Sequence, residues 1–160
     1  MNSLSPSKTA LEDRIADFTL QLCNISSVTG DEGAISTWLE EWFKNLPQYE
    51  VVRVGHSFAL RNSWRGRPII ALVGHTDTVP AHPGDPEASR DGNRLTGLGA
   101  SDMKGGLAVM MALMEDIDVE SCDYDLAFVF YDAEEGPFVN SGLGPLLAEV
   151  DWLKKIGFDT

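Results

Sequence analysis

The sequence predicts an α/β domain in which helices cover both faces of a mixed, mostly parallel sheet. Two apolar runs, residues 69–73 (IIALV) and 126–131 (LAFVFY), are typical of buried strands. Segments with apolar residues at helical spacing alternate with these runs, and such an alternation favours helices packed on a sheet. The length of 160 residues fits one domain that can bury a core without disulfides or metal staples.

Two amino-terminal segments carry apolar residues at helical spacing. They predict a first helix over residues 9–23 and a second over residues 32–46, which Pro47 stops. The apolar stripes are Leu11, Ile15, Phe18 and Leu22 in the first helix, and Ile35, Trp38, Leu39, Trp42, Phe43 and Leu46 in the second. We interpret the aromatic residues of the second stripe as core rather than as a ligand platform.

Strands follow the two helices. Residues 50–54 and 57–62 can pair as a hairpin through Gly55 and His56, and residues 69–73 form the first buried strand. Residues 80–96 are polar and rich in Pro, Gly and Asp, which indicates a surface loop.

The carboxyl-terminal part repeats the alternation. An apolar segment predicts a helix over residues 105–117, and the second buried strand follows over residues 125–131. One or two further helices are expected within residues 142–156.

Charge and composition limit the function classes. The formal net charge of −13 argues against nucleic acid or an anionic membrane as a partner, because a phosphate backbone would be repelled. No stretch approaches 18 apolar residues and no export signal is seen at the amino terminus, so we expect a cytoplasmic protein. Cys23 and Cys122 are far apart and outside any C-x-x-C spacing, so neither a disulfide framework nor a thiolate metal site is expected.

Acidic motifs follow the two buried strands. Residues 74–80 (GHTDTVP) follow the first strand, residues 132–136 (DAEEG) follow the second, and residues 97–106 (GLGASDMKGG) lie between them. His75 and Asp77, two residues apart, are expected to point the same way from the carboxyl end of a strand, where open α/β sheets place ligand sites. One imidazole and several carboxylates in one crevice suit Zn²⁺.

Several motif residues have plainer interpretations. The alternative for Asp77 is a turn former, and the alternative for Asp102 is a cap of the helix that begins near Gly105, a role compatible with metal ligation. The glycines at 97 and 99 resemble a dinucleotide loop only superficially, because Asp102 replaces the third glycine. We interpret His56 and His82 as surface residues.

The three motifs, in this order and at this spacing, resemble the amino-terminal part of the acetylornithine deacetylase and succinyl-diaminopimelate desuccinylase family of dinuclear zinc hydrolases. The resemblance implies that His75 binds one zinc ion, that Asp102 bridges two, and that Glu135 completes a metal site. Asp77 would accept the other imidazole N–H of His75 and so set its tautomer. Glu134 would be the general base, taking a proton from the attacking water and passing it to the leaving amine. The resemblance also implies that Co²⁺ can substitute for Zn²⁺.

Within this family, residues 129–135 and 141–144 most resemble succinyl-diaminopimelate desuccinylases of the actinobacterial type. The implied reaction is hydrolysis of N-succinyl-L,L-diaminopimelate to succinate and L,L-diaminopimelate, in the synthesis of lysine. Acetylornithine deacetylases, aminoacylases and carboxypeptidases share the motifs, so the small N-acyl amino acid substrate stays open.

The resemblance also predicts that the chain, residues 1–160, is a truncated zinc-peptidase-like catalytic domain. Family members are usually homodimers of more than 350 residues. Their fourth metal ligand, a distal His and a dimerisation domain lie beyond the part that these 160 residues resemble. We therefore expect the chain to need the carboxyl-terminal half, and two function classes stay open. One is an enzyme or its catalytic fragment, and the other is a non-catalytic remnant that acts through a partner.

Overall fold

The structure, a computed structural model, describes residues 8–156. The helices are α1 (Lys8–Cys23), α2 (Gly33–Phe43), α3 (Gly105–Asp116), α4 (Leu143–Glu149) and α5 (Asp151–Ile156). The strands are β1 (Glu50–Val54), β2 (Ser57–Arg61), β3 (Ile69–His75), β4 (Ser89–Asp91), β5 (Arg94–Thr96) and β6 (Asp125–Tyr131). A π-helical turn (Ala100–Lys104) precedes α3, and a 3₁₀ turn (Phe138–Asn140) precedes α4.

The central sheet is mixed, as predicted, with the strand order β1-β2-β6-β3. Most of the described strands of this sheet run in the same direction, as expected, although most neighbouring pairs are antiparallel. β1 and β2 pair antiparallel, β2 and β6 pair antiparallel, and β3 and β6 pair parallel. β1, β6 and β3 run in one direction, and β2 runs against them because a two-residue hairpin joins it to β1.

Helices cover both faces of this sheet, which confirms the predicted layering. Alternation along β6 sends Phe128 and Phe130 to one face and Ala127 and Val129 to the other. The first face packs against α1, α2 and α3, and the second against α4 and α5.

The main differences between the predicted and observed elements are at the end of α2 and in the loop after β3. Helix α2 ends at Phe43 rather than residue 46, because the N–H groups of Asn45 and Leu46 bond three residues back, to Trp42 and Phe43. The predicted surface loop over residues 80–96 contains the β4–β5 hairpin, which turns at Gly92 with φ 55°. Strands of three residues leave too short a pattern to detect beside the neighbouring Pro and Gly.

Among residues 8–156, no helix is long and apolar enough to cross a lipid bilayer. Cys23 and Cys122 are both free and half-buried, in agreement with the expectation from their spacing.

Candidate metal centre

The carboxyl ends of β3 and β6 form the floor of the candidate site. The two strands pair in parallel, and His75 lies opposite Tyr131 at the last position of this pairing. The predicted proximity of the GHTDTVP and DAEEG motifs is confirmed, because parallel neighbours end at the same edge of a sheet. The main chain continues the pairing by one bond, from the N–H of Thr76 to the carbonyl of Tyr131, at 2.8 Å.

Three side chains that offer metal ligands converge above this floor. A ring nitrogen of His75 and carboxylate oxygens of Asp102 and Glu135 all lie within 4.8 Å of one another. His75 Nε2 is 3.0 Å from Asp102 Oδ1. The imidazole is buried, whereas both carboxylates are exposed, so the group opens toward solvent on its acidic side.

Asp102 reaches His75 from the π-helical turn. The N–H of Lys104 donates to the carbonyl of Gly99 at 2.8 Å, and Gly99 has φ 73°, a conformation that suits glycine. The Asp102–Met103 peptide bond is cis. Asp102 itself is non-helical and provides no side-chain cap to α3, so the capping role considered for it is not observed.

Asp77 is fully buried and connects the two motifs. Its Oδ1 accepts the N–H of Glu134 at 2.9 Å, and its Oδ2 accepts the N–H of Glu135 at 3.0 Å. His75 Nδ1 lies 3.1 Å from the main-chain oxygen of Asp77 and 3.4 Å from its Oδ1. The expected partner residue is therefore in place, but the shorter contact is with its backbone. With Nδ1 occupied in this way, Nε2 is left to face Asp102.

The ionisable groups of the site shift one another's pKa values. Burial disfavours the protonated imidazole, yet hydrogen bonds to Asp77 and Asp102 outweigh burial and raise the pKa of His75 to about 9. Burial would likewise raise the pKa of Asp77, but hydrogen bonds from His75, Thr29 and two backbone N–H groups lower it to about 2. The surrounding carboxylates thus favour a positive charge at the imidazole, and the same field favours a metal cation.

Glu134 lies beside the group without belonging to it. Its Oε2 is 3.9 Å from His75 Nε2, and its side chain is 44% exposed. Ala133, the residue before it, has φ 55°, a left-handed conformation that is uncommon for residues other than glycine, so the chain turns sharply after β6.

The two other imidazoles are remote from this group. His82 is exposed, as expected, whereas His56 is half-buried and its Nδ1 is buried without a hydrogen-bond partner. His56 is only partly exposed because the β1–β2 turn places its ring near Gly33 at the start of α2.

Two supporting groups were not predicted from the sequence. The hydroxyl of Thr29 donates to Asp77 Oδ2 at 2.8 Å. The hydroxyl of Ser57 is hydrogen-bonded to the carboxylate of Asp132 and accepts the N–H of the same residue at 3.0 Å. Both pairs join residues at least 48 positions apart, so no local pattern could have revealed them. The sequence motifs contain only the acidic member of each pair, Asp77 in GHTDTVP and Asp132 in DAEEG.

The donor set fits a borderline divalent cation. One imidazole nitrogen and carboxylate oxygens are ligands of Zn²⁺, and the second ring nitrogen is held by a neighbour, as metal-binding histidines usually require.

Comparisons with known proteins agree on one family. The profile described as peptidase family M20/M25/M40 matches residues 71–159. The succinyl-diaminopimelate desuccinylase of Corynebacterium glutamicum is 34% identical over 158 residues, which are 96% of this chain and 42% of that protein. The chain spans about two fifths of the length of the curated relatives it matches.

Solved structures show the same fold. A tripeptidase from Staphylococcus aureus is 27% identical, with a TM-score of 0.65 over 78% of this chain and 37% of that one. A dinuclear metal-binding peptidase of the M20 family from Bacillus subtilis has a TM-score of 0.63 over 94% of this chain and 42% of that one. Its 16% identity shows the fold alone.

Proposed function

We propose, since the chain belongs to the peptidase family M20/M25/M40, that it is the amino-terminal part of the catalytic domain of a metal-dependent amide hydrolase. The observation that carries this proposal is the convergence of His75, Asp102 and Glu135 within 4.8 Å, with a third carboxylate, Glu134, beside them.

The proposed roles follow from the geometry of each side chain. His75 binds the metal through Nε2, because Asp77 holds Nδ1. Asp102 and Glu135 supply carboxylate oxygens at the open side of the group. A bound Zn²⁺ or Co²⁺ would supply Lewis-acid polarisation of the scissile carbonyl. Two ions are proposed for a complete site, in line with the dinuclear M20 peptidase of similar fold.

Glu134 is proposed as the general base. Its half-exposed carboxylate is outside the group of three, so it stays free to accept a proton from the attacking water. The same carboxyl group then donates that proton to the departing amine, which leaves as a neutral molecule. Its backbone N–H is bound by Asp77, so the position of the base is tied to that of His75.

For the substrate, we propose N-succinyl-L,L-diaminopimelate. The support is the similarity to the C. glutamicum desuccinylase over 96% of this chain. With this substrate, the proposed role is in lysine synthesis, and the proposed location is the cytoplasm. We also propose that activity requires a carboxyl-terminal part, and that the complete protein forms a homodimer, as its relatives are expected to do.

Short peptides are the second candidate substrate, and the 27% identity to a tripeptidase favours them. The two candidates share the metal chemistry and differ only in what binds on either side of the scissile amide.

The test is an assay of the chain, alone and fused to the carboxyl-terminal remainder of the C. glutamicum relative, with added Zn²⁺ or Co²⁺. N-succinyl-diaminopimelate, N-acetylornithine and a tripeptide serve as substrates. We expect the fusion to hydrolyse the succinyl compound preferentially. Preferential cleavage of the tripeptide would identify a peptidase, and metal binding without any hydrolysis would favour the non-catalytic alternative.

A further inference from the structure

The segment between α1 and α2 lies directly against the metal-site loop. Ser27 Oγ donates to the carbonyl of Thr76 at 2.9 Å, and the N–H of Thr78 donates to the carbonyl of Ser27 at 2.9 Å. The N–H of Thr29 donates to the carbonyl of Thr78 at 3.0 Å, and Val28 forms a parallel bridge with Thr78. Thr29 is therefore held beside Asp77 by main-chain bonds that do not involve its own side chain.

The side chain of Thr29 contacts the carboxylate that joins both motifs. Its hydroxyl donates to Asp77 Oδ2 at 2.8 Å, and the same oxygen accepts the N–H of Glu135 at 3.0 Å. The other oxygen accepts the N–H of Glu134 and faces His75. Each carboxylate oxygen thus has two partners, and this pattern determines how the carboxylate plane is turned.

We propose that Thr29 is a positioning residue of the metal centre that acts through Asp77. Its hydroxyl fixes the rotation of the Asp77 carboxylate, which in turn places the ring of His75 and the backbone of the two glutamates. The inference rests on the proposed function, because it takes His75, Asp102 and Glu135 as metal ligands.

Burial makes the hydroxyl difficult to replace. Asp77 has 0% of its surface exposed, so bulk water has no access to the acceptor that loses its partner. The methyl group of Thr29 is also in a tight place, since a Cβ added at Gly136 would lie 3.0 Å from Thr29 Cγ2. Loss of the hydroxyl and loss of the methyl group should therefore have different effects.

A purely structural role is the competing explanation. The hydroxyl also lies 3.3 Å from the carbonyl of Thr78, so it could only tie two loops together. That role would affect the stability of the fold and leave metal affinity and the environment of the ion unchanged.

The experiment compares Thr29→Val, which keeps the shape and removes the hydroxyl, with Thr29→Ser, which keeps the hydroxyl. Zn²⁺ affinity is measured by competition with a chromophoric chelator, the visible spectrum of bound Co²⁺ reports on ligand geometry, and urea unfolding reports on stability. We expect Thr29→Val to weaken Zn²⁺ binding by about tenfold, at the lower end of the range for partners of metal ligands, and to change the Co²⁺ spectrum. Thr29→Ser should resemble the parent chain.

Thr37→Val is the matched control. Thr37 is exposed on α2 and donates to the carbonyl of Gly33 at 2.9 Å, so this substitution also removes one hydroxyl hydrogen bond, away from the centre. It should leave affinity and spectrum unchanged.

A double-mutant cycle with Asp77→Asn tests the route of the effect. If Thr29 acts through Asp77, then Thr29→Val has little further effect on affinity in the Asp77→Asn background. The inference would be overturned if the effects of the two substitutions on Zn²⁺ affinity were fully additive. It would also be overturned if Thr29→Val lowered stability but bound Zn²⁺ like the parent. Parent-like affinity in His75→Ala would instead overturn the proposed metal centre and this inference with it.

Discussion

Asp77 is the residue on which the geometry of the candidate centre depends. A single buried carboxylate faces the imidazole of His75 and binds the backbone N–H groups of Glu134 and Glu135. The sequence assigned it one task, the orientation of His75. The structure adds a second, because the turn that carries both glutamates is anchored on the same two oxygens.

Replacement of the imidazole should be more severe than replacement of its partner. We expect His75→Ala to abolish metal binding, whereas Asp77→Asn keeps some of it, since an amide oxygen can still accept one N–H. In a version that includes the carboxyl-terminal part, Asp77→Asn should lower activity by about 10–100-fold. Zinc content and turnover are the measurements. An Asp77→Asn protein with the zinc content and turnover of the parent would contradict the role given to Asp77.

Substitution of the two adjacent glutamates should have different effects on zinc content and on kcat. In a version that includes the carboxyl-terminal part, Glu134→Gln should keep zinc near the parent level and lower kcat by a factor of about 10²–10⁴, the usual contribution of a general base. Glu135→Gln should lower the zinc content instead. Each variant is the control of the other, and loss of zinc from Glu134→Gln with retention in Glu135→Gln would reverse the two assignments.

At the level of elements, the centre depends on segments that interrupt regular structure. Asp102 lies in the π-helical turn before α3, and the buried side chain of Lys104 connects this turn to the end of α1. Lys104 is 2% exposed, and its ammonium group donates to the carbonyls of Leu22 and Ile25, at 3.0 and 2.8 Å, at the end of α1. Burial lowers the pKa of Lys104 to about 8. The loop of a candidate ligand is thereby fastened to a helix 80 residues earlier in the chain.

Asp132 directly follows β6 and bonds to Gly142, at the far end of the segment that leads into α4. Its main-chain oxygen accepts the N–H of Gly142 at 2.9 Å, and its carboxylate is bonded to Ser57. A Cβ on Gly142 would overlap with the side chains of both Asp132 and Ser57. The return of the chain into α4 therefore requires glycine at this position.

We expect Gly142→Ala to lower the free energy of unfolding by about 1–3 kcal/mol, the usual range for overpacking. Gly144→Ala is the matched control, because Gly144 lies two residues further on, in α4, and a Cβ there meets nothing within 4 Å. That change should be neutral or stabilising by up to ~1 kcal/mol, owing to helix propensity. Urea unfolding measures both variants. Equal stability of the two would show that residues 132–142 relax without cost.

At the scale of the whole molecule, the side of the sheet next to the candidate centre is open. β3 is an edge strand of the sheet formed by the described residues, and Ile69 and Ile70 on it are 38% and 41% exposed. Unpaired main-chain groups beside exposed apolar side chains are a template for pairing with another strand.

A polypeptide of residues 1–160 is therefore expected to self-associate through this edge. Ile70→Lys should lower the mean mass measured by light scattering, because a charge on an edge strand opposes pairing. Val139→Lys is the control, since Val139 is 87% exposed and lies in the 3₁₀ turn before α4 rather than on β3. A monomeric parent chain, or equal effects of both substitutions, would contradict the role of the β3 edge.

The sequence by itself determined the features that depend on residues close to one another in the chain. Periodicity located the helices and the main strands, because burial of one face imposes a pattern on neighbouring residues. The order and chemistry of the three motifs indicated a metal-binding hydrolase, and they placed His75 and the Glu134–Glu135 pair at the ends of two strands. The strands of the β4–β5 hairpin were too short to leave such a pattern.

Only the tertiary structure decided which distant groups meet. The contacts of Thr29 with Asp77, of Ser57 with Asp132 and of Lys104 with the end of α1 depend on strand order, register and the path of loops. The position of β2 between β1 and β6, which makes most pairings antiparallel, is of the same kind. Contacts across 48 to 82 residues are selected by the packing of the whole domain, and no local pattern encodes them.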